Sequence, residues 1–600
     1  MPSYLPWMLR FACLSIAVLA SGRAHAQVQV IESRLLPTDV RIQCRVLWPS
    51  GLEQGYVPLR FELNHQGSSP AEIEVKAVSG QRRREGSSYA SRLVSMKPGE
   101  RAQFEILMPS AWRGARRSSS PYVVVSSGKV REALSLPSRG SHTANSVVGC
   151  LIVGAEKPDA GTNQSLASML DSASLAFATS ATHGSAKPDI GFAVGALTFE
   201  DLPQRWQAYS SLDLVVLDSS DGQAMGRSLA PILSWVRLGG QLSLVGPMSI
   251  DALSRIPGLE DAFEGRRSIE GRSGCYSHGF GQIQVHAQAF EWQSGMKASA
   301  TEFTRARALA ELPGRWTPNA SYWRLGDSTA PNPLSRVPVQ GFLIALLAFA
   351  VFVGPIHLIA LRRWGQPALM LLTIPLFSIV ATSGILMYGI LAQGVDLRVE
   401  EKSLSFLDQG SKRVSNLVRR DLFAGGFGGL GLRPAAGTAV FPIENWKRID
   451  SPYQLERSET EFVLTGGFLP VRDQVEQWVA SEKTSRYRLS VSTADGSTVE
   501  ITNEGAVTIE ELFYQSLEGA WYRAAKLEPG SSQVATPSSF EGSSLESHML
   551  QSFGKDLPMA KGGYVARLAK DPFMDDLGLE WSPSGGRHFL IGVIETGDAQ

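Results

Sequence analysis

The chain is 600 residues long, balances 57 Lys and Arg against 57 Asp and Glu, and is 43% hydrophobic. That length suffices for three or four domains of about 150 residues, and the zero net charge gives no reason to expect a nucleic-acid partner. The four cysteines, at positions 13, 44, 150 and 275, form no CxxC pair, which excludes a disulfide scaffold and a paired-cysteine zinc knuckle.

Residues 1–26 read as a cleavable secretory signal. Arg10 precedes the apolar run Phe11–Ala20, and Ala24-His25-Ala26 puts small residues where a signal peptidase reads, ahead of Gln27. The run is short for a membrane span. Cleavage removes Arg10 and Arg23 and leaves Cys44, Cys150 and Cys275. An odd number of thiols leaves at least one free or paired between chains.

Residues 27–140 read as a β-sandwich. Val57–Leu63 alternates with period two, Asn64–Pro70 breaks the run, Glu72–Val75 alternates again, and Met96–Glu100 is a turn before Phe104–Leu107. Between Lys76 and Arg139 stand thirteen basic residues and four acids. Arg82-Arg83-Arg84 and Arg113 with Arg116-Arg117 fall in Ser/Gly-rich loops, where a solvated surface and a contact for anionic envelope polymers are both open readings.

Residues 146–330 read as an α/β domain with a parallel sheet. Val147–Val153 is a continuous apolar strand, Gln164–Leu175 is helical, and Asp189–Val194 and Leu212–Asp218 are further strands. The helix Ala230–Leu238 passes through Gly239-Gly240 into the strand Gln241–Gly246, the glycines supplying its C-terminal turn. Asp218 and Asp221 follow a strand's carboxyl end, where open α/β sheets bind ligands and where acids also cap helices. Cys275-Tyr276-Ser277-His278, with His286 beyond it, is the nearest approach to a nucleophile or metal cluster, although no second ligand pair accompanies it. No metal or cofactor is expected. Gly425–Gly431 is glycine-rich but runs into Arg433-Pro434 and reads as a loop, not a phosphate cradle.

Three segments, Leu202–Tyr209, Leu212–Leu217 and Trp235–Leu242, resemble the class I glutamine amidotransferase-like domains of bacterial membrane proteins. The resemblance implies the amidotransferase-like α/β fold, in which the last of these strands runs into a Gly-x-Cys-x-Gly elbow carrying the nucleophile. This chain has Gly246-Pro247-Met248-Ser249 there, so the implied activity lacks its thiol. Residues 57–107, with their Asn-x-x-Gly and Lys-Pro-Gly-Glu turns, resemble immunoglobulin-like modules of bacterial envelope proteins.

Two apolar runs follow the midpoint, 338–361 and 369–391, each free of Asp, Glu, Lys and Arg and long enough to cross a bilayer. The connector Arg362–Pro367 carries two arginines and no acid, so the positive-inside tendency puts it in the cytoplasm. His357 lies near that end and suits an interfacial anchor or a helix–helix hydrogen bond. Small residues are expected to mediate the helix contact: Gly341, Ala345 and Ala348 on one side, Ser378, Thr382 and Gly384 on the other. Gly354–Arg363 with Ile374-Pro375 resembles uncharacterised bacterial envelope membrane proteins that share this domain order.

Residues 396–600 read as a β-rich domain, with alternation in Tyr487–Ser492 and Val499–Asn503 and a last strand at His588–Ile594. The whole implies an inner-membrane protein with both large segments periplasmic. Its expected role is non-catalytic binding or scaffolding, its partners the bilayer and other envelope proteins. The alternative is an envelope hydrolase using the Cys275/His278 region or an Asp218 pocket. A cysteine placed at Gln366 should resist a membrane-impermeant maleimide in intact cells, while one at Ser531 should react once the outer barrier is opened; the opposite pattern would invert this topology.

Overall fold

A computed structural model describes residues 29–35, 39–48, 55–79, 88–109, 122–136, 146–155, 190–263, 274–287, 339–365, 369–394, 396–425, 431–442, 453–457, 462–469, 474–494, 498–553, 561–579 and 582–594. The leader, the basic loops at 82–84 and 113–117, the helix expected over 164–175 and the Gly-rich stretch 426–430 lie outside these residues.

Strands β1 to β8 (Gln29–Leu35, Val40–Val46, Tyr56–His65, Ala71–Ser79, Ser88–Met96, Arg101–Pro109, Tyr122–Ser127, Val130–Ser135) form two antiparallel sheets, β1-β2-β3-β6 and β5-β4-β7-β8. In β2, Val40, Ile42, Cys44 and Val46 point inward and the residues between them outward, the period of two that the pleat demands. A slip of one residue would bury Arg41 and Arg45, so this pattern sets the register. Burial pushes the Cys44 thiol up to about 12, which leaves it unreactive.

Strands β9 to β14 (Ser146–Gly154, Ile190–Thr198, Leu214–Asp218, Gln241–Gly246, Cys275–His278, Gly281–Ala287) lie in the order β10-β9-β11-β12-β14-β13, parallel except for β13 at the edge. Every residue of β11 and β12 is buried, as in a sheet covered on both faces. The helix Gly222–Arg237 starts at Asp221, whose carboxylate accepts from the backbone of Gln223 and Ala224. It ends at Gly239, held at φ +116°, and at Gly240, where a side chain would run into the Trp235 ring.

Two helical stretches, Val339–Arg363 and Met370–Gly389, are long and apolar enough to cross a membrane. The first contains a π-helical turn, Phe352–Ile356, around Pro355, whose missing N–H breaks the regular ladder. The expected small-residue contact holds only in part. Gly341 gives room to Tyr388 and Gly389 packs on Phe342, but Ala348 and Thr382 are exposed and nothing stands near Gly384. Edge-on aromatic pairs fill the seam instead: Phe342–Tyr388, Phe352–Phe377 and His357–Phe377, with centroids 5.9, 5.4 and 5.3 Å apart. His357 is buried by this stacking and its Nδ1 makes no hydrogen bond, so of its two expected roles the helix–helix hydrogen bond is not made through that nitrogen.

After the hairpin come β15 to β27 (Leu397–Asp408, Arg413–Ala424, Thr438–Pro442, Tyr453–Arg457, Phe462–Gly466, Gln474–Thr484, Leu489–Ala494, Thr498–Asn503, Ile509–Gln515, Trp521–Ala524, Ser532–Pro537, Gly563–Leu568, Ser582–Val593). Eleven of them form one sheet, in which β27 pairs in parallel with β15 and so ties the end of the chain to the strand that leaves the second apolar helix. The other two, β18 and β19, join the N-terminal region, β18 pairing in parallel with β5. One apolar cluster runs unbroken from Val40 to Ile591 through all three sheet regions.

Gly341→Val should weaken the hairpin by about 1–3 kcal/mol, because Tyr388 fills the space a side chain needs. Gly384→Val, facing open space, should leave the thermal midpoint of the detergent-solubilised chain unchanged.

Candidate functional site

The sheet register decides whether the sequence candidates can act together. Asp218 pairs with Val245 of β12, and Val245 with His286 of β14, so Asp218 and His286 share a row at the carboxyl end of the parallel sheet. His278 pairs with Gly281 at the opposite end of β14, about 16 Å away at 3.3 Å per residue. Cys275 pairs with Gln284 in between. The candidates form no common constellation.

Each has a local task. Asp218 sits at the end of β11 beside β9, where the strand order of the sheet reverses; its carboxylate accepts from the Ser220 N–H at 2.8 Å. Asp221 and Ser249 cap the helices Gly222–Arg237 and Ile250–Leu253. The turn after β12 is tight because Gly246 packs against Ser219, leaving no space for a side chain. Cys275 is buried with its sulfur 3.6 Å from the Gln282 amide oxygen, and Cys150 is buried in β9. No group of three or more His, Cys, Asp or Glu suited to a metal ion occurs among the described residues.

His278 is part of a joint between domains. Its Nε2 lies 3.1 Å from Arg237 Nη1, and Arg237 Nε donates to Glu482 of β20 at 2.6 Å. Arg413 of β16 reaches the same carboxylate oxygen at 3.1 Å. Burial alone would raise the Glu482 carboxyl; the Arg237 and Arg413 guanidiniums outweigh it and hold it below the usual carboxylate range. Phe280 packs edge-on to Phe406 of β15 beside this cluster.

A second polar layer, which the sequence reading did not single out, lies inside the eleven-stranded sheet. The fully buried Arg420 is paired with Glu401 at 2.5 Å and donates to the Asp575 carbonyl. Asp575 itself accepts from Thr438, Ala435 and Leu577; burial would raise its carboxyl, but these hydrogen bonds hold it low. Beside it, Ser403 and His588 Nδ1 are 2.9 Å apart, and Asp571 accepts from Asn416 at 3.0 Å. Desolvation lowers His588, against the pull of Asp571 and Glu401. The Ser403–His588–Asp571 order invites a hydrolase reading, but Ser403 has no exposed surface for a substrate to reach. A period-two polar pattern in β15, Glu401-Ser403-Ser405, is the signal that marks this layer in the sequence.

On the other face of that sheet, Asp421 stands between Glu400 and Glu476 in one cross-strand row. Burial, and next the Glu476 charge, push its carboxyl up to about 6, and its Oδ1 is buried without a hydrogen bond. No family model and no curated protein matches the chain. Among solved structures it is similar to the yeast delta-COP-I mu-homology domain complexed with a Dsl1 WxWxV peptide. The identity is 8%, over 33% of this chain and 96% of that one, and the TM-score of 0.16 is too low to support an argument about fold or function.

Because the folded Asp421 holds its proton up to about pH 6 and the unfolded chain releases it near 4, stability contributed by the protonated acid is lost as pH rises between those values. Asp421→Asn should therefore raise the thermal midpoint at pH 7.5, gaining up to about 3 kcal/mol of stability, and raise it clearly less at pH 4.5.

Proposed function

We propose that this chain is a bacterial inner-membrane protein with both large segments in the periplasm, acting as a non-catalytic binding or scaffolding component of the cell envelope. The two apolar helices anchor it. Arg362, Arg363 and the exposed Trp364 form a basic, aromatic tip suited to the cytoplasmic lipid interface. The parallel-sheet domain, on the resemblance stated above, is a degenerate amidotransferase-like domain, and the sheets at 29–135 an immunoglobulin-like module of interaction type.

The observation that carries this reading is the use made of the polar residues where catalysis would be sought. Asp221 and Ser249 cap helices, Asp218 closes a turn, Cys275 faces Gln282, and His278 braces a domain joint. Other envelope proteins are the partners proposed, with anionic polymer at the basic loops. The competing hydrolase reading rests on Asp218, buried at the sheet's switch point.

Complementation of a deletion strain separates the two. Full-length chains carrying Asp218→Asn or Cys275→Ala should restore the parental phenotype at parental abundance. A folded, abundant Asp218→Asn or Cys275→Ala chain that fails to complement would favour the hydrolase and sink the scaffold.

A further inference from the structure

The contact between His278 and Arg237 constrains the protonation of the histidine by geometry alone. A guanidinium has donors and no acceptor, so at 3.1 Å the Nε2 of His278 must present its lone pair, which places the ring proton on Nδ1. The contact exists only with a neutral imidazole. His278 is 2% exposed, so water cannot replace Arg237 as its partner without opening the structure.

The surroundings do not favour a second proton. From the Gly222–Arg237 helix comes the Arg237 cation; from β20 comes Glu482, already accepting from both Arg237 and Arg413 of β16. The residue of β14 paired with His278 is the uncharged Gly281, and β15 presents Phe406 against Phe280, two residues along the chain. Among the described residues, two guanidiniums and one carboxylate already committed to both stand at this cluster. A proton on Nε2 would add a like charge and remove the acceptor in one step.

We propose that the His278–Arg237–Glu482 contact is an acid-released latch between the parallel-sheet domain and the eleven-stranded sheet. Protonation of His278 breaks its bond with Arg237 and sets a like charge against the guanidinium, so the side chain that carries the cross-domain bond to Glu482 loses its brace and the surfaces that meet at Phe280 and Phe406 part. The latch is independent of the scaffold reading and would operate in an enzyme equally well. Through Arg237, His278 touches a bond between two domains, which His65, His588 and the helix-packed His357 do not. His65 accepts from the Gly67 N–H through Nδ1 and faces the Ser69 carbonyl through Nε2, within one turn, and His588 lies inside the C-terminal sheet.

Global acid unfolding would mix the buried histidines, so the test is local. Hydrogen exchange of the full chain in lipid nanodiscs is followed by mass spectrometry at pH 7.5 and 5.0, with rates corrected for intrinsic pH dependence. Peptides covering 275–284 and 477–484 should lose protection at pH 5.0, by up to about 30-fold, since that pH lies some 1.5 units below an ordinary imidazole. His278→Gln, whose carbonyl accepts from Arg237 at either pH, should show the same protection at both while peptides around His65 and His588 respond as in the parent. Equal protection of the two segments in the parent at both pH values overturns the latch, as does a His278→Gln chain with the parental response. Where His278→Gln does not fold, His278→Asn takes its place, and the parent comparison remains decisive.

Discussion

The six-residue turn Trp206–Ser211 holds together units that are far apart in the chain. Its Ala208 carbonyl accepts from the Trp48 indole and its Ser210 hydroxyl from the Tyr56 N–H, both of the N-terminal sheets. On its other side, Trp206 and Gln207 donate to the carbonyls of Gly437 and Ala436 at the entry to β17. A single 3-10 turn is short enough to offer polar groups in several directions at once. Left unpaired in a buried interface, each such group would cost about 1–3 kcal/mol, so the positions of three sheets depend on this turn. Gly55 permits the close approach: at φ +79° it lies against the Ser210 backbone, where no side chain fits.

Buried charge refines what the turn places. Arg237–Glu482 and Arg420–Glu401 are both nearly closed to water, and the desolvation of such pairs offsets most of their attraction. Their value is directional. A guanidinium tolerates only a carboxylate, carbonyl or lone pair within reach, so each pair admits one alignment of the elements that carry it. Apolar contacts such as Phe280 on Phe406 contribute attraction without that selectivity.

What could be read from the sequence follows the range of the interactions involved. The apolar spans, the buried strands at 147–153, 212–218 and 241–246, and the Gly239-Gly240 stop are local signals, and each has its counterpart. The helix seam was misjudged at Ala348, Thr382 and Gly384 because a small residue promotes close packing only if it faces the partner, and aromatic rings occupy that face here. The Asp218 and Cys275/His278 candidates share one sheet, yet strand composition carries no information on register across it. The pairing of β18 with β5, and of β27 with β15, left no local trace at all. Arg420 and His588 look like surface residues of an alternating strand until the loop 571–577 covers them.

The β18–β5 pairing has a consequence for the order in which the molecule is made. Tyr89 and its hydrogen-bond partner Glu456 are 367 residues apart. Synthesis runs from the N-terminus, so the sheet containing β5 must wait, its edge unpaired, while the parallel sheet and both apolar helices emerge. An open edge is a template for adventitious strands, and contacts of such long range are slow to close. The nascent N-terminal region is therefore a stage of biogenesis exposed to misassembly, and its completion is timed by the arrival of β18 and β19 from beyond the two apolar helices.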